Sequence, residues 1–222
     1  MAISEKEFMA AAKGDVNLKI NGNTYELVGE QQPLGYIFQS LDDNSHVTLS
    51  KEEVLDREDI EISLLTEQQY VEKLNTINVQ NTEVFNKTDY AVALLQIKPD
   101  LPERRDIQFS DYDSACIRLG GNKTVEPKMY NTVYIETMTK EQMQDFSSAN
   151  AIGDYLYKKM NYNRPSALEG YFGQSASVSD VIVIKNEKDI TSLYVENFGY
   201  KKLEDFSPKV LKEKNREETP ER

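Results

Sequence analysis

Cysteine and histidine each occur only once in the 222 residues, as Cys116 and His46. A single cysteine cannot form an internal disulfide, and two ligands this far apart cannot supply the usual four ligands of a zinc site. A serine or cysteine nucleophile that depends on histidine would have to use His46, which lies beside a predicted turn. We therefore expect no metal and no cofactor, and we interpret Cys116 as buried and His46 as exposed.

Long apolar segments are absent as well. No run approaches the roughly 18 apolar residues that cross a bilayer, and the first residues show no basic segment followed by an apolar one. Together with the single cysteine, these absences predict a cytosolic protein without a membrane partner. Apolar side chains still make up 39% of the chain, and thirteen Tyr and eight Phe supply bulky packing groups, so a folded core is expected.

Basic side chains are too few to balance the acidic ones, and the net charge is −12. Residues 1–88 hold 16 acidic and 7 basic side chains, whereas residues 89–222 hold 22 and 19. This balance argues against a chain that as a whole binds phosphate backbones. An acidic module can instead dock on a basic protein surface, including one built for nucleic acid. An ordinary solubilising surface is the alternative.

Residues 1–66 predict a small, acidic, mainly antiparallel β-rich module. Asn21-Gly22-Asn23, between two short strand patterns, is a strong hairpin signal. Ser4, with a glutamate three residues on, forms a capping box that opens a short helix, and Ser50 caps a second one. Residues 67–88 are expected to form a helix followed by a polar, Asn-rich linker, because composition and charge both change there.

The patterns of residues 89–206 predict that this segment forms the larger domain. Its strongest signal is the apolar run Val181-Ile182-Val183-Ile184, followed by a polar turn and a strand over 190–197, which indicates a hairpin inside a core. The fold class expected is α+β, with a mixed or antiparallel sheet and flanking helices in this unit. Residues 207–222 are expected to form a charged tail, and the segment Lys212–Arg222, in which eight of eleven residues are charged, is expected to be frayed or disordered. The other main elements expected are strands over 90–97 and 130–136 and an amphipathic helix over 149–160.

Polar side chains cluster directly before the apolar run. Hydroxyl and carboxylate groups at the start of a strand commonly tie down backbone N–H groups, and this structural role is the first interpretation. The second interpretation is catalytic, because a metal-free nuclease can use Tyr, Arg and Asp for acid–base and electrostatic help without histidine. The cluster comprises Ser175, Ser177, Ser179 and Asp180, and the catalytic candidates are Arg164, Ser179, Asp180 and Tyr194.

The densest acidic stretch lies in the first module, between residues 51 and 67. One interpretation is an ordinary solvated face. The other is a binding surface that imitates phosphates toward a basic groove, such as the channel of an RNA-guided nuclease. The candidate binding residues are Glu52, Glu53, Asp56, Glu58, Asp59 and Glu61.

Several short motifs follow one another in the second unit, and together they resemble the YodL-like domain family. The resemblance spans about residues 89–206, a little over half of the chain, and residues 1–88 lie outside it. It implies an accessory part of the mobile elements of Gram-positive bacteria, such as conjugative elements, plasmids and phages. The matching residues are Tyr90-Ala91-Val92 with Leu95, Arg104–Asp106 before Phe109, Asn131–Tyr134, Gly173-Gln174-Ser175, Ser177–Val183 and Tyr194–Tyr200.

Proteins from such gene neighbourhoods often act against host defences, and this association gives the functional expectation. We expect a counter-defence protein that is similar to anti-CRISPR inhibitors and binds a CRISPR effector nuclease through its acidic surface. Contact with the guide RNA of that nuclease is a further expectation. Two alternatives stay open: an enzyme that cleaves guide RNA, and a non-catalytic regulator or scaffold of element transfer.

Overall fold

The chain folds into two compact units, residues 1–70 and residues 71–222. Each unit contains one five-stranded antiparallel sheet, which confirms the α+β fold class. No helix in the described part of the chain is both long and apolar enough to cross a membrane. The predicted tail lies outside the described residues, except for residues 207 and 208. The computed structural model describes residues 2–121, 123–162, 173–187, 189–204 and 206–208.

Unit 1 packs two helices on one face of its sheet. Its elements are α1 (Glu5–Ala12), β1 (Asn17–Ile20), β2 (Asn23–Gln31), β3 (Gly35–Ser40), β4 (His46–Leu49), α2 (Lys51–Asp56) and β5 (Ile60–Ser63). The strand order is β4-β3-β2-β1-β5. The apolar core between the layers includes Phe8 of α1, Phe38 of β3 and Val54 of α2. The module predicted for residues 1–66 therefore contains all five strands of this sheet.

Local sequence signals set the ends of these elements. Both helices begin at capping boxes, at Ser4 and at Ser50. In each box the serine side chain accepts the backbone N–H of the glutamate three residues on, and the side chain of that glutamate accepts the backbone N–H of the serine. Asn21 and Gly22 have positive φ angles of 50° and 91°, which suits the tight turn between β1 and β2. Gly35, with φ of 122°, passes so close to Leu49 that a Cβ there would lie 2.4 Å from the Leu49 carbonyl oxygen.

Helix α3 spans Glu67–Lys87, so the stretch predicted as a linker forms the second half of a helix. The correction has a physical cause in packing, because Leu74 and Phe85 are buried although the helix is polar overall. Asn78 and Asn81 lie on the same side and bond to a neighbouring strand. Tertiary contacts therefore stabilise a helix that the local, Asn-rich sequence does not favour.

Unit 2 is built on a sheet with strand order β10-β9-β8-β6-β7, in which every pairing is antiparallel. Besides most of α3, its elements are β6 (Tyr90–Ile97), α4 (Arg104–Ile107), α5 (Tyr112–Arg118), a short 3-10 helix (Pro127–Met129), β7 (Tyr130–Thr137), α6 (Lys140–Gln144), α7 (Ala149–Tyr162), β8 (Val181–Asn186), β9 (Asp189–Val195) and β10 (Tyr200–Leu203).

Both faces of this sheet are covered. On one face Ala93 and Val183 pack in a core with Phe85 of α3 and Ile107 of α4. On the other face α7 contacts β6, β8 and β9 through its buried side. All four residues of the run Val181–Ile184 are buried, which confirms the prediction of a strand enclosed on both sides.

The β7 edge of the sheet is closed by α3. Asn78 Oδ1 accepts the N–H of Thr132 at 2.7 Å, and Asn81 Nδ2 donates to the Thr132 carbonyl at 2.9 Å. The hydroxyls of Thr82 and Thr132 also lie 3.1 Å apart in a buried contact. Side chains of the helix thus take the place of a further strand.

Candidate functional site

The turn that leads into β8 brings the predicted polar cluster against the end of β9. The N–H of Ser179 donates to the Val195 carbonyl at 3.0 Å, and the N–H of Val195 donates to the Asp180 carbonyl at 2.9 Å. The N–H of Asp180 donates to the Ser177 carbonyl at 3.1 Å. Ser179 has φ of 80°, a left-handed conformation that is costly for a residue other than glycine. Hydrogen bonds therefore hold a strained turn at this end of the sheet.

The side chains of Ser179 and Tyr194 are buried and bonded inside the fold. Ser179 Oγ accepts the N–H of Phe109 at 3.0 Å, and Tyr194 OH donates to the Ser110 carbonyl at 2.8 Å. Together they fix the segment between α4 and α5. Burial raises the pKa of Tyr194, which keeps the phenol protonated as a donor. These contacts favour the structural interpretation, and a catalytic role for the two residues stays a prediction.

Asp180 is the titratable centre of this region. Only 6% of its surface is exposed. One carboxylate oxygen, Oδ2, accepts from Gln96 Nε2 at 3.0 Å and from the N–H of Ser177 at 2.9 Å. Burial raises the pKa of Asp180 to about 7, although the two hydrogen bonds act in the opposite direction. Its charge therefore changes near neutral pH, a property frequent at functional sites and in buried networks.

Gln96, on β6, connects this carboxylate to the chain that precedes the turn. Its Oε1 accepts the N–H of Gln174 at 2.9 Å, and its Nε2 donates to the Gln174 carbonyl at 2.8 Å. Asn161, near the end of α7, donates from Nδ2 to the Ala176 carbonyl at 3.1 Å. We call residues 174–177, which these side chains hold in place, the strap.

Asn131 extends the same line of polar groups to β7. It pairs with Gln96 in the β6–β7 register, so the two side chains lie on the same face of the sheet. Asn131 is 1% exposed, and neither Nδ2 nor Oδ1 has a hydrogen-bond partner in the described part of the chain. Leaving such a group unsatisfied costs roughly 1–3 kcal/mol. We call Asn131, Gln96 and Asp180 the polar row.

Neither Gln96 nor Asn131 is among the predicted site residues, although Asn131 belongs to a segment that carries the family resemblance. Gln96 is the single amide in the otherwise apolar or aromatic strand β6, which is a signal in the sequence, whereas β7 holds several polar residues and nothing in its pattern marks Asn131. Their importance depends on the pairing of β6 with β7 and β8, since only that register places them beside each other and next to Asp180. Strand register of this kind joins residues far apart in sequence, so it cannot be obtained from the pattern of one strand.

The other residues predicted for this region differ in where the structure places them. Arg164 lies outside the described residues, so the proximity of its side chain to Asp180 stays a prediction. Ser175 is exposed, and Ser177 is half-buried. Within the described ranges, no group of three or more His, Cys, Asp or Glu side chains is placed to hold a metal ion.

All six predicted binding carboxylates of unit 1 are exposed. Arg57 partly offsets the negative charge of Asp59, because Arg57 Nε donates to Asp59 Oδ1 at 2.8 Å. This hydrogen bond lowers the pKa of Asp59, which stays ionised. Glu53 takes part in the capping box of α2. Glu61 pairs with Lys19 in the β1–β5 register, which places opposite charges on one face. The members without such a contact to described residues are Glu52, Asp56 and Glu58.

Comparisons with known proteins bear on unit 2. A search of curated proteins found no match to the chain, and a search of solved structures found none. The family model of the YodL-like domain matches residues 91–206, a little over half of the chain, and this range includes the strap and the polar row. The chain therefore belongs to the family of proteins with a YodL-like domain.

Proposed function

We propose that this protein is a counter-defence factor of a mobile genetic element, which binds and inhibits an RNA-guided nuclease in the bacterial cytosol. The observation that carries the proposal is the exposure of all six carboxylates between Glu52 and Glu61. They belong to a unit of 70 residues with 14 acidic and only 5 basic side chains. The mobile-element setting implied by the YodL-like resemblance gives the biological context.

The physical basis is electrostatic complementarity. RNA-guided nucleases hold their nucleic acids in a positively charged channel. A compact unit with a net charge of −9 is attracted to such a surface, and steering of this kind raises association rates by about 10–1,000-fold at low salt. Once bound, carboxylates occupy positions that phosphates would take, so inhibition follows from competition.

The carboxylates of α2 and the loop after it carry most of this effect. Glu52 and Asp56 are four residues apart on one helix and therefore share a face. Glu58 follows in the loop before β5. None of the three has an ion-pair partner among the described residues, so all three are available to a basic partner.

The contacts of unit 2 support binding over catalysis. Ser179 Oγ and Tyr194 OH already make hydrogen bonds to the segment between α4 and α5, which leaves them poorly placed to act on guide RNA. In the proposed function, unit 2 supplies a rigid body and a second contact surface, including contact with the guide RNA.

Charge reversal tests the proposal. We expect the triple variant Glu52→Lys, Asp56→Lys, Glu58→Lys to bind a guide-loaded CRISPR effector nuclease at least about 30-fold more weakly than the original chain, because three like charges now face a basic surface. The matched control is Asp100→Lys, Asp145→Lys, Asp189→Lys, three exposed carboxylates of unit 2 with the same change in net charge. Its affinity should change by less than about threefold.

Binding and nuclease inhibition are measured in parallel, at low and at high salt. Equal loss of binding in both triple variants would show that only net charge matters, and no binding of the original chain to any effector tested would count against the proposal. Guide RNA is recovered after each incubation. Cleaved guide RNA would favour the enzymatic alternative instead.

A further inference from the structure

Side chains of three described residues bind the main chain of the strap. Residues 174–177 have no regular secondary structure. Gln96 binds the main chain of Gln174 in both directions, Asn161 binds the Ala176 carbonyl, and Asp180 accepts the N–H of Ser177. Gln96 is itself oriented by its bond to Asp180. The state of one carboxyl group therefore influences attachments at both ends of the strap.

We propose that the strap is a proton-controlled closure of the polar row, closed while Asp180 is protonated and opening when Asp180 ionises. The proposal does not depend on the function proposed above. It concerns a local change in unit 2, in which residues 174–177 separate from β6 and water reaches the Asp180 carboxylate.

Burial supplies the driving force. An ionised carboxylate at a site with 6% exposure loses most of its hydration, and two hydrogen bonds to one oxygen replace that hydration incompletely. Opening the strap restores water to the charged group. The neutral carboxyl group has no such need, so protonation favours the closed state.

The groups that face Asp180 do not offset its charge. Gln96 faces it from β6, and the phenols of Tyr130 on β7 and Tyr194 on β9 lie close enough to interact electrostatically with it. Burial raises the pKa of both phenols, so they remain neutral. No cationic side chain among the described residues contributes to its titration.

The direction of the pH dependence follows from the two states. Burial in the closed state raises the pKa of Asp180 to about 7 from an ordinary value of 3.8, which applies when the group is hydrated. The open state therefore ionises first as the pH rises. The open population should increase from about pH 4 to about pH 7 and stay constant above that range.

Asn131 stands opposite Gln96, at the other end of the polar row from Asp180. Neither polar atom of its buried amide has a hydrogen-bond partner among the residues that the structure describes. Such a group is either satisfied in another state or retained at a cost. Water admitted when the strap opens would supply the missing hydrogen bonds.

Amide hydrogen exchange of the full chain tests the inference. After correction for the intrinsic exchange rate, we expect protection of the Ser177 and Gln174 amides to be at least about tenfold lower at pH 7 than at pH 5. Asp180→Asn, which keeps an acceptor oxygen and has no charge, should abolish this difference. The matched control Asp113→Asn removes an exposed carboxylate of the same unit and should retain it. The Val183 amide, in the centre of the sheet, reports on global unfolding.

Three results would overturn the proposal. The first is equal protection at both pH values in the original chain, which is decisive even if Asp180→Asn does not fold. The second is a pH dependence that persists in folded Asp180→Asn, since another group would then control the strap. A loss of protection that is equally large at Val183 would also overturn it, because it would report unfolding of the unit and not local opening.

Discussion

The two units place their polar groups in opposite ways. In unit 1 every acidic side chain is at least partly exposed, and the buried polar residues are Asn17 and Ser40. In unit 2 several hydroxyls, a carboxyl group and an amide without a hydrogen-bond partner in the described part of the unit are buried within the fold. Exposed charge interacts with other molecules at little cost to folding, whereas buried polar groups lower stability unless they are fully bonded. The comparison therefore predicts different responses to substitution in the two units.

The largest effect is expected in unit 1, where stability depends on tight packing. Gly35→Ala would place a Cβ 2.4 Å from the Leu49 carbonyl oxygen, at a residue with φ of 122°. We expect the free energy of unfolding of unit 1 to fall by at least about 3 kcal/mol. Amide exchange of β1 measures this loss, and exchange of β8 reports on unit 2.

Gly29→Ala is the matched control for that substitution. Gly29 lies in the neighbouring strand, and an added Cβ would meet only a side-chain carbon of Ile37 at 3.9 Å. Its effect should stay below about 1 kcal/mol. Equal losses in the two variants would contradict the role assigned to close packing at Gly35.

An intermediate effect is expected for Asp180→Asn in unit 2, with the opposite sign. The pKa of Asp180 is raised to about 7 in the folded state, so the original chain loses stability as the pH rises from about 4 to about 7. We expect the variant to be more stable by roughly 2–4 kcal/mol above pH 7 and equally stable near pH 4. Denaturant unfolding across this pH range measures the difference, and a constant difference at all pH values would contradict it.

The smallest effect is expected for Asn131→Leu. The substitution replaces a buried amide, for which the described residues offer no hydrogen-bond partner, by an apolar group of similar size. We expect unit 2 to gain about 1–2 kcal/mol, because the desolvated amide is removed without loss of a hydrogen bond. The control Asn150→Leu alters an exposed amide on α7 and should leave stability nearly unchanged. A destabilised Asn131→Leu would show that this amide has a partner in solution.

Short-range signals in the sequence were sufficient for many elements. The bounds of β6 and the start of α2 after Ser50 agree with the prediction, because a dense apolar run marks the strand and a capping serine opens the helix. The second half of α3 was mispredicted, since its helical state depends on contacts with β7. Gln96 and Asn131 were missed for a similar reason: their role arises from strand pairing, which a single sequence does not display.

Only those features of the site that depend on local sequence could be predicted, because contacts between distant residues are not visible in a single sequence. Exposure of the carboxylates between Glu52 and Glu61 could be expected from their density, because charged groups avoid burial. The proximity of Ser179, Asp180 and Tyr194 follows from two strands of one hairpin. The hydrogen bonds of Ser179 and Tyr194 to the segment after α4 could not be foreseen, since they join residues 70 and 84 positions apart.

The contact of α3 with Thr132 has a consequence for self-association. An uncovered outer strand offers free N–H and C=O groups on which another copy can add its own strand and begin a fibril. Asn78 and Asn81 occupy these groups of Thr132, and at the opposite edge β10 carries the charged residues Lys201 and Lys202. Addition of a strand is therefore disfavoured at Thr132 on one edge and along β10 on the other, which lowers the tendency of the sheet to grow by self-association.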